Sequence, residues 1–373
     1  MSIWQKICAL LLTMWTFGPQ AQAGKGNQPI YQDPFDLGAG GSSLTRASRD
    51  GRIFANPALF TYGPSFHRWF GTATSLISNK ESLQMTKDLA QGRDINNGEE
   101  SGGQNPIVEK AFSAPIHVGY ANSLGWITSN FGLSAISRFE ADFRAKEIGQ
   151  YGSPDIRLRV ENYQAAAMAF AARIPGIHWF SLGVTGKYVM ISEPDRTIEI
   201  SDEQKLAEAT DTKTLQQFAT LNTGAGADVG ALFFFQGQHW DYSLALKVDD
   251  LGDTKLQGDS VPDSLKQVAS VGTAITWHGA TSALHLSLDY RDIQDSYEDP
   301  KFKKFYAGTK LLLFNYIGLS TGVYHGYPTW GFEIDFVFMR FTGTYYTREF
   351  GDSPGVDPRR LYMGTVSVNW WPF

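Results

Sequence analysis

The sequence predicts an all-β protein, a transmembrane antiparallel β-barrel of about 14 strands with an N-terminal plug segment and helical extracellular loops. Three observations carry this: apolar and polar residues alternate with period two, long and short connections alternate along the chain, and an export signal precedes a chain without an apolar helix.

Residues 1–23 have the parts of a secretory signal, with Lys6 in the head, an apolar stretch over 7–15 and Ala21-Gln22-Ala23 as a small-x-small cleavage site. The stretch is well short of the roughly 20 residues that a bilayer-spanning helix needs, so cleavage near Gly24 is expected. Cys8, the only cysteine, lies ahead of the apolar stretch. It cannot anchor a lipid, and the mature chain has no thiol for a disulfide or a metal. No later apolar run is long enough for a membrane helix, yet aromatics reach 14%. That combination suits barrel strands, which put apolar residues on one face only and so look unremarkable in mean hydropathy. The chain carries 32 Lys and Arg against 38 Asp and Glu, and loss of Lys6 with the signal makes the remainder more acidic. Nucleic acid is thereby excluded as a partner, since phosphate binding needs a basic surface.

The alternation is clearest in Leu284-His285-Leu286-Ser287-Leu288-Asp289-Tyr290-Arg291, where one face is apolar and the other polar. Ile156, Leu158 and Val160 alternate with Arg157, Arg159 and Glu161 in the same way, and Tyr242 to Val248 and Phe332 to Phe338 repeat the pattern. Such segments and their breakers place strands at 66–78, 114–124, 126–145, 155–173, 178–193, 225–236, 239–250, 266–277, 281–293, 302–313, 316–325, 328–338, 340–350 and 359–371. Long connections at 79–113, 146–154, 194–224, 251–265, 294–301 and 351–358 alternate with tight turns. The turns fall at Ser123-Leu124-Gly125, Pro175-Gly176, Gly237-Gln238, His278-Gly279-Ala280, Asn315 and near Met339-Arg340; only His325-Gly326-Tyr327 is shorter than the pattern demands. Membrane barrels have this asymmetry, with short turns on the periplasmic side, whereas a soluble sandwich or propeller explains the alternation but not the loops. Within the long connections, Ser201-Asp202-Glu203-Gln204 reads as a capping box opening a helix that carries Leu206, Ala209, Leu215 and Phe218, and 80–91 reads as a second helix. Of Trp69, Trp126, Trp179, Trp240, Trp277, Trp330, Trp370 and Trp371, most fall near strand ends, as an interfacial girdle requires.

Three domains follow: the signal peptide at 1–23, a plug or hatch segment at 24–61 and the barrel at 62–373. The middle segment contains Asp36-Leu37-Gly38-Ala39-Gly40-Gly41-Ser42-Ser43 and then Asn56-Pro57-Ala58, whose Asn-Pro step sets the chain's direction just before the barrel. On these motifs the chain resembles the long-chain fatty acid and toluene transporter superfamily of outer-membrane proteins. In that superfamily a Gly-rich stretch and an Asn-Pro-Ala motif precede a fourteen-stranded barrel whose N-terminal segment plugs the lumen. The stretch Gly322-Val323-Tyr324-His325-Gly326-Tyr327-Pro328-Thr329-Trp330-Gly331, with Tyr345-Tyr346-Thr347-Arg348-Glu349 and Asp357-Pro358-Arg359-Arg360, looks closer to the TraF-like and PorV-like branch. The resemblance implies one of two activities: passive transport of hydrophobic small molecules such as fatty acids or hydrocarbons, or a non-transporting scaffold that binds secreted proteins at the cell surface. In one respect the sequence departs from barrels of this kind. Phe373 supplies a terminal aromatic, but the apolar set Val366, Val368 and Trp370 has the opposite parity.

Catalytic motifs are missing: the seven histidines show no pair at metal-ligand spacing, and neither a Gly-x-Ser-x-Gly elbow nor a phosphate loop occurs. The sequence therefore reads as a non-enzyme without cofactor or metal. Its most informative polar group lies on one predicted hairpin, with Arg138, Glu140, Asp142 and Arg144 on one face of the third strand and Arg157, Arg159 and Glu161 on the matching face of the fourth. If the apolar face meets lipid these charges line the lumen, because Arg or Lys facing lipid at mid-bilayer costs about 2–4 kcal/mol. A cross-strand salt-bridge ladder filling the interior is one use for them, and a grip on a ligand carboxylate is the other.

Overall fold

Exposed leucines and buried aspartates on the same strand decide the architecture. The computed structural model describes residues 31–48, 51–62, 69–90, 115–146, 155–199, 220–258, 262–314, 316–336 and 338–370. The signal at 1–23, the helix expected at 201–218 and the terminal Phe373 lie outside these residues. Fourteen long strands follow one another: β1 (Trp69–Ser78), β2 (Ile116–Ile127), β3 (Phe131–Lys146), β4 (Asp155–Ile174), β5 (Ile177–Ser192), β6 (Asn222–Gln236) and β7 (Trp240–Asp249) form the first half. The second half is β8 (Val268–His278), β9 (Ser282–Tyr290), β10 (Phe305–Leu313), β11 (Ile317–Tyr324), β12 (Tyr327–Phe336), β13 (Met339–Glu349) and β14 (Pro358–Trp370). Each pairs antiparallel with its sequence neighbours, and β14 returns to β1 from Phe70↔Trp370 to Ser78↔Tyr362, so the fourteen strands close into a barrel.

The two faces of this wall are inverted relative to a water-soluble protein. On β9, Leu286 and Leu288 are 45% and 39% exposed while Asp289 is fully buried and His285 nearly so. Leu182, Val184 and Tyr188 on β5 and Trp330, Phe332 and Phe336 on β12 likewise point outward. No helix among the described residues is long and apolar enough to cross a membrane. The strands supply the apolar band instead, since a closed barrel satisfies its backbone within the sheet and can face hydrocarbon with side chains alone. Trp126, Trp179, Trp240 and Trp370 stand outward at the short-turn end of the band, with Phe70 packed on Trp370 at 5.4 Å.

Several expected boundaries move. Ser123, Leu124 and Gly125 are not a turn but lie inside β2, where Leu124 and Trp126 continue the outward face. The chain reverses at 128–131, where the Thr128 hydroxyl accepts from the Phe131 amide (3.1 Å). Alternation outweighs the Ser and Gly punctuation there. The last tight reversal precedes Met339 and Arg340, both of which belong to β13. The β11–β12 hairpin has two turn residues with positive φ, His325 (51°) and Gly326 (81°), the geometry that matches strand twist. Outside the wall, α1 (Lys80–Ala90) follows β1, a short strand Asp195–Glu199 extends the sheet from β4, and Thr254–Lys255 pairs with Ser264–Leu265.

Candidate functional site

Residues 31–48 and 51–62 lie against the lumen-facing side of the wall. Asp33 opens a five-residue helix, α2 (Pro34–Gly38), with its carboxylate accepting from the Phe35 amide (2.9 Å) and proline in the first turn. Gly40 and Gly41, at φ of 69° and 73°, then turn the chain where a side chain would be strained. A second helix, α3 (Gly51–Ala55), leads to Asn56, which is completely buried and caps the 3-10 turn Pro57–Thr61. Its Oδ1 accepts from the Ala58 amide (3.0 Å) while its Nδ2 donates to the Leu44 carbonyl (3.1 Å).

Irregular backbone at membrane depth needs partners, and lumen-facing side chains provide them. Arg340 on β13 donates to Asp33 (2.5 Å), and Lys310 on β10 is paired with Asp36. Asp289 accepts from the amides of Ser43 (2.7 Å) and Leu44 (3.0 Å), and Arg291 donates to the Gly41 carbonyl (2.7 Å). On the opposite wall, Ser181 donates to the Ala58 carbonyl (2.8 Å) and Thr185 to that of Ile53 (3.1 Å). Lumen-facing glycines let the segment lie directly on the sheet. A Cβ on Gly308 would sit 1.9 Å from the Ala39 carbonyl oxygen, one on Gly230 2.0 Å from Asn56 Oδ1, and one on Gly183 2.5 Å from the Ala58 amide nitrogen. Asn56, Pro57 and Ala58 are thus fitted against β5 and β6 through these last two glycines.

Beyond this segment, Leu37 packs with Tyr306, Tyr324 and Tyr346, a buried aromatic layer in which the Tyr324 and His325 rings stack at 4.1 Å. Past that layer, toward the long-loop end, stand the charges of the β3–β4 hairpin. Arg138, Glu140, Asp142 and Arg144 face the interior opposite Tyr163, Glu161, Arg159 and Arg157. The cross-strand ladder of opposite signs does not form, because Glu140 faces Glu161 and Arg144 faces Arg157. Balance comes from across the lumen. Arg348 on β13 donates to Glu140 (3.1 Å) and Glu161 (2.6 Å), and Arg359 on β14 makes a two-pronged contact with Asp142 (2.7 and 2.8 Å). Arg138 pairs with Glu140 (2.5 Å) and Arg159 with Glu161 (3.0 Å), each along its own strand. His117 on β2 places its ring nitrogens 3.1 Å from Glu140 and 3.3 Å from Asp142. At the rim, Arg144 pairs with Asp357 (2.5 Å), and Arg157 grips Asp195 through two hydrogen bonds (2.8 and 2.7 Å). The Phe350 ring lies under the guanidinium groups of Arg159 and Arg348, at 4.3 and 4.5 Å. Arg348, Arg359 and His117 belong to this cluster although the charges of the β3–β4 hairpin do not point to them. The signal available was parity: each has the lumen-facing register of its strand.

A closed fourteen-strand antiparallel barrel with a chain segment lodged in its lumen defines the class. No family model matches the chain, and no curated protein matches it either. Solved structures do. A deltaS2 mutant of the TodX monoaromatic hydrocarbon channel is 10% identical over 92% of this chain and 99% of its own, with a TM-score of 0.51. The Ralstonia pickettii toluene transporter TbuX is 10% identical over 92% of this chain and 98% of its own, also at 0.51. At that identity the likeness establishes the fold over nearly the whole of both chains.

Proposed function

We propose that the protein resides in the bacterial outer membrane and lets hydrophobic small molecules such as hydrocarbons or fatty acids pass without energy input. The observation that carries this is the lumen-lodged N-terminal segment, bound by wall glycines and charged anchors inside a barrel that shares its fold with hydrocarbon channels. Residues 24–61 act as the plug, with Asn56, Pro57 and Ala58 setting its seat. The signal at 1–23 supports export, and 62–373 form the barrel. Arg138, Glu140, Asp142, Arg144, Arg157, Arg159 and Glu161 line the long-loop mouth, where their mutual pairing keeps the wall rigid. A ligand enters there, meets the tyrosine layer and leaves past the plug. The stretch around Gly322 to Gly331 supports a place nearer the TraF-like and PorV-like branch.

Uptake of toluene and of a fluorescent long-chain fatty acid by vesicles carrying the purified protein tests the proposal, against empty vesicles and a variant lacking residues 36–56. Uptake above the empty vesicles, altered by the deletion, is expected. A heat-modifiable, folded barrel that transports neither ligand would refute transport. Capture of an exported protein at the loop surface by that same barrel would then assign the scaffold role.

A further inference from the structure

The outer wall carries an apolar trench of about 810 Å³ across β9 to β14. Two neighbouring rows of outward side chains form its sides. Leu284, Leu311 and Leu319 pair in succession across β9, β10 and β11 and continue through Phe332, Gly343 and Gly364 to β14. One step nearer the long-loop end, Trp330, Tyr345 and Tyr362 pair across β12, β13 and β14. Where the first row reaches Gly364 the wall is bare backbone and the trench deepens, whereas Gly343 beside it lies under the Phe332 ring. Gly343 has an internal reason to be glycine, since a Cβ there would lie 2.2 Å from the Phe332 ring. Gly364 has none, because a Cβ there would meet no atom of the protein within 4 Å. Glycine weakens a strand interior and often marks a bulge, a tight bend or a place where a ligand or another backbone approaches closely.

We propose that this trench holds one acyl chain of a bilayer lipid. Six strands spaced about 4.8 Å apart make it about 24 Å long, while it is only two rows of side chains wide. That shape suits an extended chain. The lining is mainly apolar, and the Thr321 hydroxyl, which borders the trench, donates to the Thr329 carbonyl (3.1 Å). A second barrel presents a convex face that cannot follow a trench one side chain deep. The trench faces the membrane interior, where acyl chains are the solvent, and the Trp and Tyr row beside it is of the kind that marks the headgroup level. The inference rests on the outward face alone and stands independently of transport through the lumen.

Native mass spectrometry of the delipidated full-length protein, titrated with phosphatidylglycerol in detergent, tests it. Wild type is expected to retain one lipid at collision energies that strip all others. Gly364→Phe, which fills the deep part of the trench, is expected to lower that one-lipid species at least tenfold. Val366→Phe adds the same ring on the same strand face outside the trench and leaves it unchanged. Leu319→Trp, filling the trench from the other side, serves if Gly364→Phe loses its heat-modifiable migration. Equal retention by wild type and trench-filled variants, equal loss in Val366→Phe, a wild type without a preferred lipid, or a protein dimer in place of the lipid adduct would each overturn the proposal.

Discussion

Replacing Arg348 by methionine removes the guanidinium that ties Glu140 to Glu161 and leaves two buried carboxylates facing each other on β3 and β4. A hydrogen bond to a charged group contributes about 1.5–3 kcal/mol, and stripping one partner from a buried ion pair costs about 3–5 kcal/mol. Arg138 (2.5 Å), Arg159 (3.0 Å) and His117 (3.1 Å) stay beside the two carboxylates, which puts the expected loss at the lower end, about 3 kcal/mol. Urea unfolding of the barrel in phosphatidylcholine vesicles, followed by tryptophan fluorescence, measures it. Adding Glu161→Gln to Arg348→Met removes the like-charge pair, and the double variant should recover more than about 1 kcal/mol. A loss under about 1 kcal/mol for the single variant, or a double variant less stable than the single one, would show that the cluster is not held through Arg348.

Gly308→Val places carbon where the Ala39 carbonyl oxygen now lies, so the segment should lift from β10 while the barrel stays folded. Protease cleavage of residues 31–62 and ligand uptake should both rise, and unchanged values of both would contradict a seated plug. Asn56→Ala removes a cap and a buried donor and should cost about 1–3 kcal/mol, read as the urea midpoint together with proteolysis of the same segment. In the loop after β9, burial pulls the Lys304 pKa down, but hydrogen bonds from its ammonium to Asp295 and Asp292 outweigh that and leave it raised. A raised folded value means that this contribution is complete below the unfolded pKa of about 10.4 and is lost as pH rises through the folded one. The urea midpoint should therefore fall in strongly alkaline solution, and Lys304→Met should flatten that fall; an equally steep fall in the variant would rule Lys304 out as its source.

Alternation was legible because it is a property of one strand at a time. Leu284 to Asp289 announces its two faces without reference to any neighbour, and the even strand number and the short turns follow from repeating that observation. The β3–β4 charges were legible for the same reason: Arg138 to Arg144 share a parity. Which charges they meet was not legible. Arg348 stands 187 residues from Glu161 and reaches it only because β14 closes on β1, a fact of barrel geometry that no local pattern encodes. The lumen-facing glycines were hidden similarly. Gly183, Gly230 and Gly308 look unrelated along the chain and acquire a common purpose once a backbone segment runs past all three. The misplaced turn at Ser123 to Gly125 shows the converse, in which small residues suggest a break while Leu124 and Trp126 carry the outward face straight through.

The lodged segment also bears on the order of assembly. Its anchors reach β5 and β6 on one side and β9 to β13 on the other, whereas the seam that joins β1 to β14 brings together residues as far apart in the chain as Phe70 and Trp370. Closing so long a loop is entropically costly and slow. A segment that touches both halves of the sheet would shorten that search if bound before closure, because strands bound to it are held at the curvature of the finished wall. Residues 31–48 and 51–62 would then act as a former for the sheet, since one backbone segment fixes how far strands from its two halves stand apart in the finished wall.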